Sequence, residues 1–143
     1  MEKIKRILVP TDFSPTADRA LEWAKTLALA TNASIHLLYV DDDPLLNAPT
    51  TGQEYRDEYE DKMAVKFDGI LPKHLREKFD VQYAVKSGIA AEQIFEYVAN
   101  HDIDLIVIGT KGRSAVMDAL LGSVAHAVIK DAKVPVVSVR HAH

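Results

Sequence analysis

The residues best equipped for chemistry sit together near the C-terminus. Gly109-Thr110-Lys111-Gly112-Arg113-Ser114-Ala115-Val116-Met117-Asp118-Ala119-Leu120-Leu121-Gly122-Ser123 follows the apolar run Leu105 to Ile108. Gly109 and Gly112 lack a Cβ, so the backbone there can turn sharply and approach a ligand closely. Gly122-Ser123 opens a predicted helix, whose first amides have no intrahelical acceptor and whose positive end favours an anion. Ser123 adds a hydroxyl donor, Lys111 and Arg113 are neighbouring cations, and no acid occurs between Leu105 and Met117. Phosphate would be well held here. An ordinary strand-to-helix loop with an N-cap at Ser123 would also carry many of these features.

The other constellations are weaker. No Gly-Lys-Ser/Thr is present, so the loop is not a P-loop, and no G-x-G-x-x-G follows the first strand. Ser123 and His126 lie one helical turn apart without an evident acidic orienter, a poor nucleophile and base pair. Asp41 to Asp61 holds eight acids against one base, Arg56. The Asp41-Asp42-Asp43 cluster could help hold Mg²⁺, since hard cations take oxygen ligands; a solvated loop and helix face has the same composition. Tyr55 and Tyr59 read as packing residues, and His141 and His143 as a polar tail. With no cysteine, disulfides and thiolate metal sites are excluded.

Alternating strands and helices must position these groups. Strands are predicted at Lys5–Pro10, Ser34–Val40, Phe79–Val85, Leu105–Ile108 and Pro135–Val139. The first helix starts at Ser14-Pro15, Ser as N-cap and Pro at the first helical position, and carries apolar residues from Ala17 to Ala28 at the 3.6-residue period. Further helices are predicted at about Glu54–Leu71, Ala90–His101 and Ser123–Asp131, with Asp41–Gly52 as a loop. Such alternation implies right-handed βαβ units and a parallel sheet covered on both faces, a three-layer α/β sandwich. The first and fourth strands are apolar on both faces, as central parallel strands must be. The third alternates and the fifth starts at a proline, which suits edges. The order 3-2-1-4-5 follows, with its switch point between strands 1 and 4, where open α/β sheets bind ligands.

The 143 residues fit one domain, 1–143. Hydrophobic residues at 48% and charged residues at 27% are usual for a soluble fold. A net charge of −4 argues against broad nucleic-acid binding. No apolar run approaches the roughly 20 residues of a membrane span, and the charged start does not read as a signal peptide. A cytoplasmic location is the expectation.

Gly109-x2-Gly112-x9-Gly122-Ser123 resembles the G-2x-G-9x-G-S/T signature of the ATP-binding branch of the universal stress proteins. Ile7-Leu8-Val9-Pro10-Thr11-Asp12-Phe13-Ser14, Asp104-Leu105-Ile106-Val107-Ile108-Gly109 and Val134-Pro135-Val136-Val137-Ser138-Val139 resemble that family's first, fourth and last strands, so the likeness spans the chain. The resemblance implies a Rossmann-like fold of the adenine nucleotide alpha hydrolase type and an ATP site that takes the nucleotide together with Mg²⁺ (or Mn²⁺). In that site Pro10 and Val40 frame the adenine, Val40 through its backbone. Thr11 and Asp12 face the ribose or adenine, and Ile108 packs beneath. Gly109, Gly112, Gly122, Ser123 and the amide of Val124 hold phosphates beside Lys111 and Arg113. It also implies a homodimer through the last strand, Val136, Val137, Ser138 and Val139. The leading expectation is a nucleotide-dependent regulatory switch in stress response, more a binding protein than an enzyme, with an unidentified protein partner. A slow Mg-dependent ATPase or phosphotransferase and a nucleotide-free dimeric interaction module are the alternatives.

Overall fold

Short β-branched runs and amphipathic helices alternate as expected, and the sheet they build splits where a ligand would enter. The structure, a computed structural model, describes residues 1–110 and 122–140. Five strands, β1 (Arg6–Thr11), β2 (Ser34–Asp41), β3 (Val81–Ser87), β4 (Leu105–Gly109) and β5 (Val136–Val139), form one sheet of order β3-β2-β1-β4-β5. All four pairings are parallel. The helices are α1 (Pro15–Thr31), α2 (Gln53–Ile70), α3 (Lys73–Lys78), α4 (Ala90–Asn100) and α5 (Ser123–Asp131). A single 3-10 turn, Pro44–Asn47, lies inside the predicted loop after β2.

Strand alternation sends successive side chains to opposite faces. Ile7, Val9, Ile35 and Leu37 pack with Ala20, Leu21 and Ala24 of α1 and Met63 and Phe67 of α2. Leu8, Leu38, Ile106 and Ile108 pack on the other face with Ile94 of α4 and Ala125 and Val128 of α5. This is the Rossmann-like three-layer sandwich. The start of α1 matches its sequence signal: the Ser14 hydroxyl accepts the Ala17 amide at 3.2 Å, with Pro15 next.

Three details differ from expectation. The third strand begins at Val81, not Phe79, because α3 occupies Lys73–Lys78, Phe79 caps it, and Asp80 turns through a left-handed φ of 52°. The apolar pattern of α2 predicts one buried stripe of Tyr55, Tyr59, Met63, Phe67 and Ile70, but only Met63 and Phe67 of it are fully buried, and Tyr55 at its head is 40% exposed. On α4 the apolar pattern predicts burial of Ala91, Ile94, Phe95 and Val98, but Ile94 and Tyr97 are the fully buried residues, and Ala91, Phe95 and Val98 are half-buried. Tyr97 is buried because it serves His36, a polar residue set into the apolar run of β2. The His36 Nδ1 lies 2.6 Å from the Tyr97 hydroxyl and 2.9 Å from the Gln82 Nε2, and the Tyr97 ring stacks on His101 at 3.7 Å. Burial first, then the neighbouring His101 and Arg6, lowers the His36 pKa, against a smaller opposite pull from Asp80. A neutral imidazole accepting through Nδ1 fits that environment.

Candidate functional site

The sheet register explains why a cleft opens at one place. β1 pairs with β4 only at Ile7–Leu105 and Leu8–Ile106. Beyond that, β1 continues against β2 as far as Thr11–Tyr39, while β4 continues against β5 as far as Gly109–Val139. The two central strands diverge at their carboxyl ends, and a cleft of about 290 Å³ lies there. Its size is near the lower end of small-molecule pockets.

Among the described residues, the cleft walls contain Pro10 and Thr11 at the end of β1, Asp12 just after it, Val40 at the end of β2, and Ile108 and Gly109 of β4. Gly122, Ser123 and Val124 complete the opposite rim. The structure thus brings together nine of the positions singled out in the sequence. Lys111, Gly112 and Arg113 lie outside the described residues. Sequence reasoning missed the apolar floor, where Leu38 of β2, Ala90 and Ile94 of α4 and Ala125 of α5 also line the cleft. Period-2 and period-3.6 patterns mark those side chains as core, and only the topology shows which core residues reach the opening.

The turn after β1 is built by side-chain caps. The Thr11 hydroxyl accepts the Phe13 amide at 3.0 Å, and Asp12 Oδ1 accepts the Ser14 amide at 3.0 Å. Phe13 takes a left-handed φ of 64°. These bonds hold Asp12 at the cleft rim. Asp18, one turn into α1, feels Asp12: burial first, then Asp12 and Glu22, raises its carboxyl pKa.

At the opposite rim, α5 starts at Ser123 with no side-chain cap. Its first intrahelical bond runs from the His126 amide to the Gly122 carbonyl at 2.9 Å, and the Gly122 amide is already given to the Thr110 carbonyl. The amides of Ser123, Val124 and Ala125 therefore precede the helical ladder at the cleft, where the helix dipole adds a positive field. Gly122 is thus not the free donor the sequence suggested; its amide is spent on Thr110. Gly109 also has a reason other than ligand approach. A Cβ there would stand 2.8 Å from the Thr16 Cγ2 and 3.0 Å from the Thr16 carbonyl oxygen, so the bare backbone lets β4 lie against α1.

The Asp41–Asp43 cluster is engaged within the protein. The Tyr59 hydroxyl donates to Asp41 Oδ2 at 2.7 Å and the Tyr55 hydroxyl to Asp43 Oδ2 at 3.3 Å. Neither acid is among the residues that line the cleft, and both tie α2 to the end of β2. Tyr55 and Tyr59 are hydrogen-bonding residues as well as packing ones. No group of three acids or histidines able to hold a metal ion occurs among the described residues. Asp12 is the one acid among the described cleft residues.

The fold and cleft together define an open, doubly wound α/β domain with a cleft at its topological switch point. The universal stress protein family model matches residues 3–140, and the chain belongs to that family. Two universal stress proteins of Methanocaldococcus jannaschii are similar to it. One is 34% identical over 95% of this chain and 82% of its own length, the other 29% identical over 95% and 94%. Among solved structures, universal stress protein UspA from Lactobacillus plantarum superposes with a TM-score of 0.78 at 25% identity, covering 98% of this chain and 100% of that one. More distant structures of the fold, at 22% and 20% identity, are of a universal stress protein with cAMP and of one from Archaeoglobus fulgidus with dAMP; that likeness shows the fold alone.

Proposed function

We propose that this universal stress protein binds ATP in the cleft between β1 and β4 and acts as a nucleotide-dependent regulatory switch. One observation carries the reading: a single cleft joins an apolar floor, from Leu38, Val40, Ile94 and Ile108, to a rim of helix amides at Ser123, Val124 and Ala125. The floor suits a purine and the rim suits phosphate. Adenine nucleotides held by distant members of the fold, cAMP and dAMP, agree in ligand class. Pro10 and Val40 frame the base, Thr11 and Asp12 meet the sugar, and Ile108 packs beneath. The α5 amides and Ser123 take the phosphates, and the sequence signature adds Gly109, Gly112, Gly122, Lys111 and Arg113 to the phosphate side. Mg²⁺ or Mn²⁺ fits a site of this kind, because such ions use one or two carboxylates together with nucleotide phosphates, and Asp12 supplies one.

The single domain works as a cytoplasmic homodimer. No described helix is long and apolar enough to cross a membrane. β5 is an edge strand whose Val137 and Ser138 are exposed, an edge that an antiparallel copy would cover. The nucleotide switches the protein by binding one conformational state more tightly than another. Native mass spectrometry of the gently purified protein tests the ligand. The expected mass is a dimer carrying adenine nucleotide, and a protein that emerges empty and gains no thermal stability with millimolar Mg-ATP would overturn the proposal.

A further inference from the structure

The base side of the cleft ends at Val40, and the residue after it is held from three directions. Asp41 Oδ2 accepts from the Tyr59 hydroxyl of α2 at 2.7 Å. Asp41 Oδ1 accepts from the Asp43 amide at 2.9 Å, and the Asp41 carbonyl accepts from the Gly88 amide beyond β3 at 2.9 Å. β1 stops pairing with β2 at Thr11–Tyr39. Val40 and Asp41 therefore extend past the neighbouring strand on the cleft side, while β3 still holds them at Val40–Lys86 and Asp41–Ser87. Where the Val40 main chain stands beside the cleft depends on β3 and on how Asp41 is fixed.

We infer that Tyr59, acting through Asp41, is a specificity-determining positioning residue that fixes the Val40 main chain to read the six-position of a bound purine. This rests on the nucleotide reading above. Each peptide unit offers one donor and one acceptor in fixed directions. Adenine presents an amine donor and a ring acceptor on its pairing edge, whereas hypoxanthine presents a carbonyl acceptor and a ring N–H donor. A strand end held rigidly rejects the wrong pattern, because the mismatch leaves polar groups unpaired. A loosened strand end can shift and tolerate it.

Tyr59 suits this role in being half-buried, packed from α2 against the core. Burial first, then the hydrogen bond to Asp41 and its charge, keeps the phenol far above its ordinary range, so it stays a donor. Tyr55 makes the weaker counterpart, an exposed 3.3 Å bond to Asp43, two residues farther from Val40.

The test is calorimetric titration of the full chain with ATP and with ITP, both with Mg²⁺, for the unaltered protein, Tyr59→Phe and Tyr55→Phe. The unaltered protein is expected to prefer ATP. Tyr59→Phe should lose about tenfold on ATP, the effect of one well-placed hydrogen bond, with ITP nearly unchanged, so the preference narrows. Tyr55→Phe should keep it. Melting without nucleotide checks that Tyr59→Phe is folded. Equal losses on both nucleotides, an unchanged preference in Tyr59→Phe, an equal narrowing in Tyr55→Phe, or no preference in the unaltered protein would each overturn the inference. Failure of the unaltered protein to bind either nucleotide would instead remove the nucleotide reading, and this inference with it.

Discussion

Single residues show most clearly what a sequence reveals and what it hides. Gly109 was legible as a position that rejects side chains, but the reason differs, since the obstacle is Thr16 at 2.8 Å. Gly109→Ala should cost about 1–3 kcal/mol, the usual range for overpacking, read as a lower urea midpoint. Adding Thr16→Ser should restore only part, because the Thr16 carbonyl remains 3.0 Å away; an Ala variant as stable as the parent would refute the packing account. His36 was not legible at all. Its partners Gln82 and Tyr97 stand 46 and 61 positions along the chain, and an apolar strand pattern gives no hint of a polar insert. Its lowered pKa has a definite consequence. Below the ordinary histidine value of about 6.5, the unfolded chain takes up a proton that folded His36 resists, so this residue's contribution falls as pH drops through that value and levels only once the folded residue also titrates. Urea midpoints should decline between about pH 7.5 and 5.5, and His36→Gln should flatten that slope; an unchanged slope would show that other groups set it.

Among the elements, those with strong local signals were placed well. Ser14-Pro15 announced α1, and Gly122-Ser123 announced α5. The short α3 was missed because six residues, Lys73–Lys78, bury no side chain fully and carry no apolar period to detect. The anion-favouring start of α5 was legible at Gly122-Ser123, but the use of the Gly122 amide by Thr110 was not, since that contact belongs to the tertiary fold. Gly122 has φ −62° and ψ 151°, values open to a β-branched residue. Gly122→Val should therefore fold with nearly unchanged melting, while its branched side chain at the rim abolishes the melting shift caused by Mg-ATP. A full shift in that variant would place the phosphates elsewhere. β5 carries its own expectation. A charge on an exposed edge blocks strand pairing, so Val137→Lys should convert the proposed β5-paired dimer to monomer in light scattering after size-exclusion chromatography, and a surviving dimer would mean another interface.

At the scale of the molecule, the order β3-β2-β1-β4-β5 could be read from burial logic, because strands apolar on both faces must be central. That order alone located the switch point. It could not show the divergence of β1 from β4 after Leu8–Ile106, which depends on register and creates the cleft. The account stands on that opening receiving a nucleotide, base inward and phosphates on the α5 amides. Backbone amide NMR during titration with Mg-ATP tests it most directly. Saturable shifts are expected at Asp12, Val40, Ser123, Val124 and Ala125, with α3 and the His36 cluster undisturbed. No saturable shift at millimolar nucleotide, or shifts confined to surfaces away from the cleft, would contradict it.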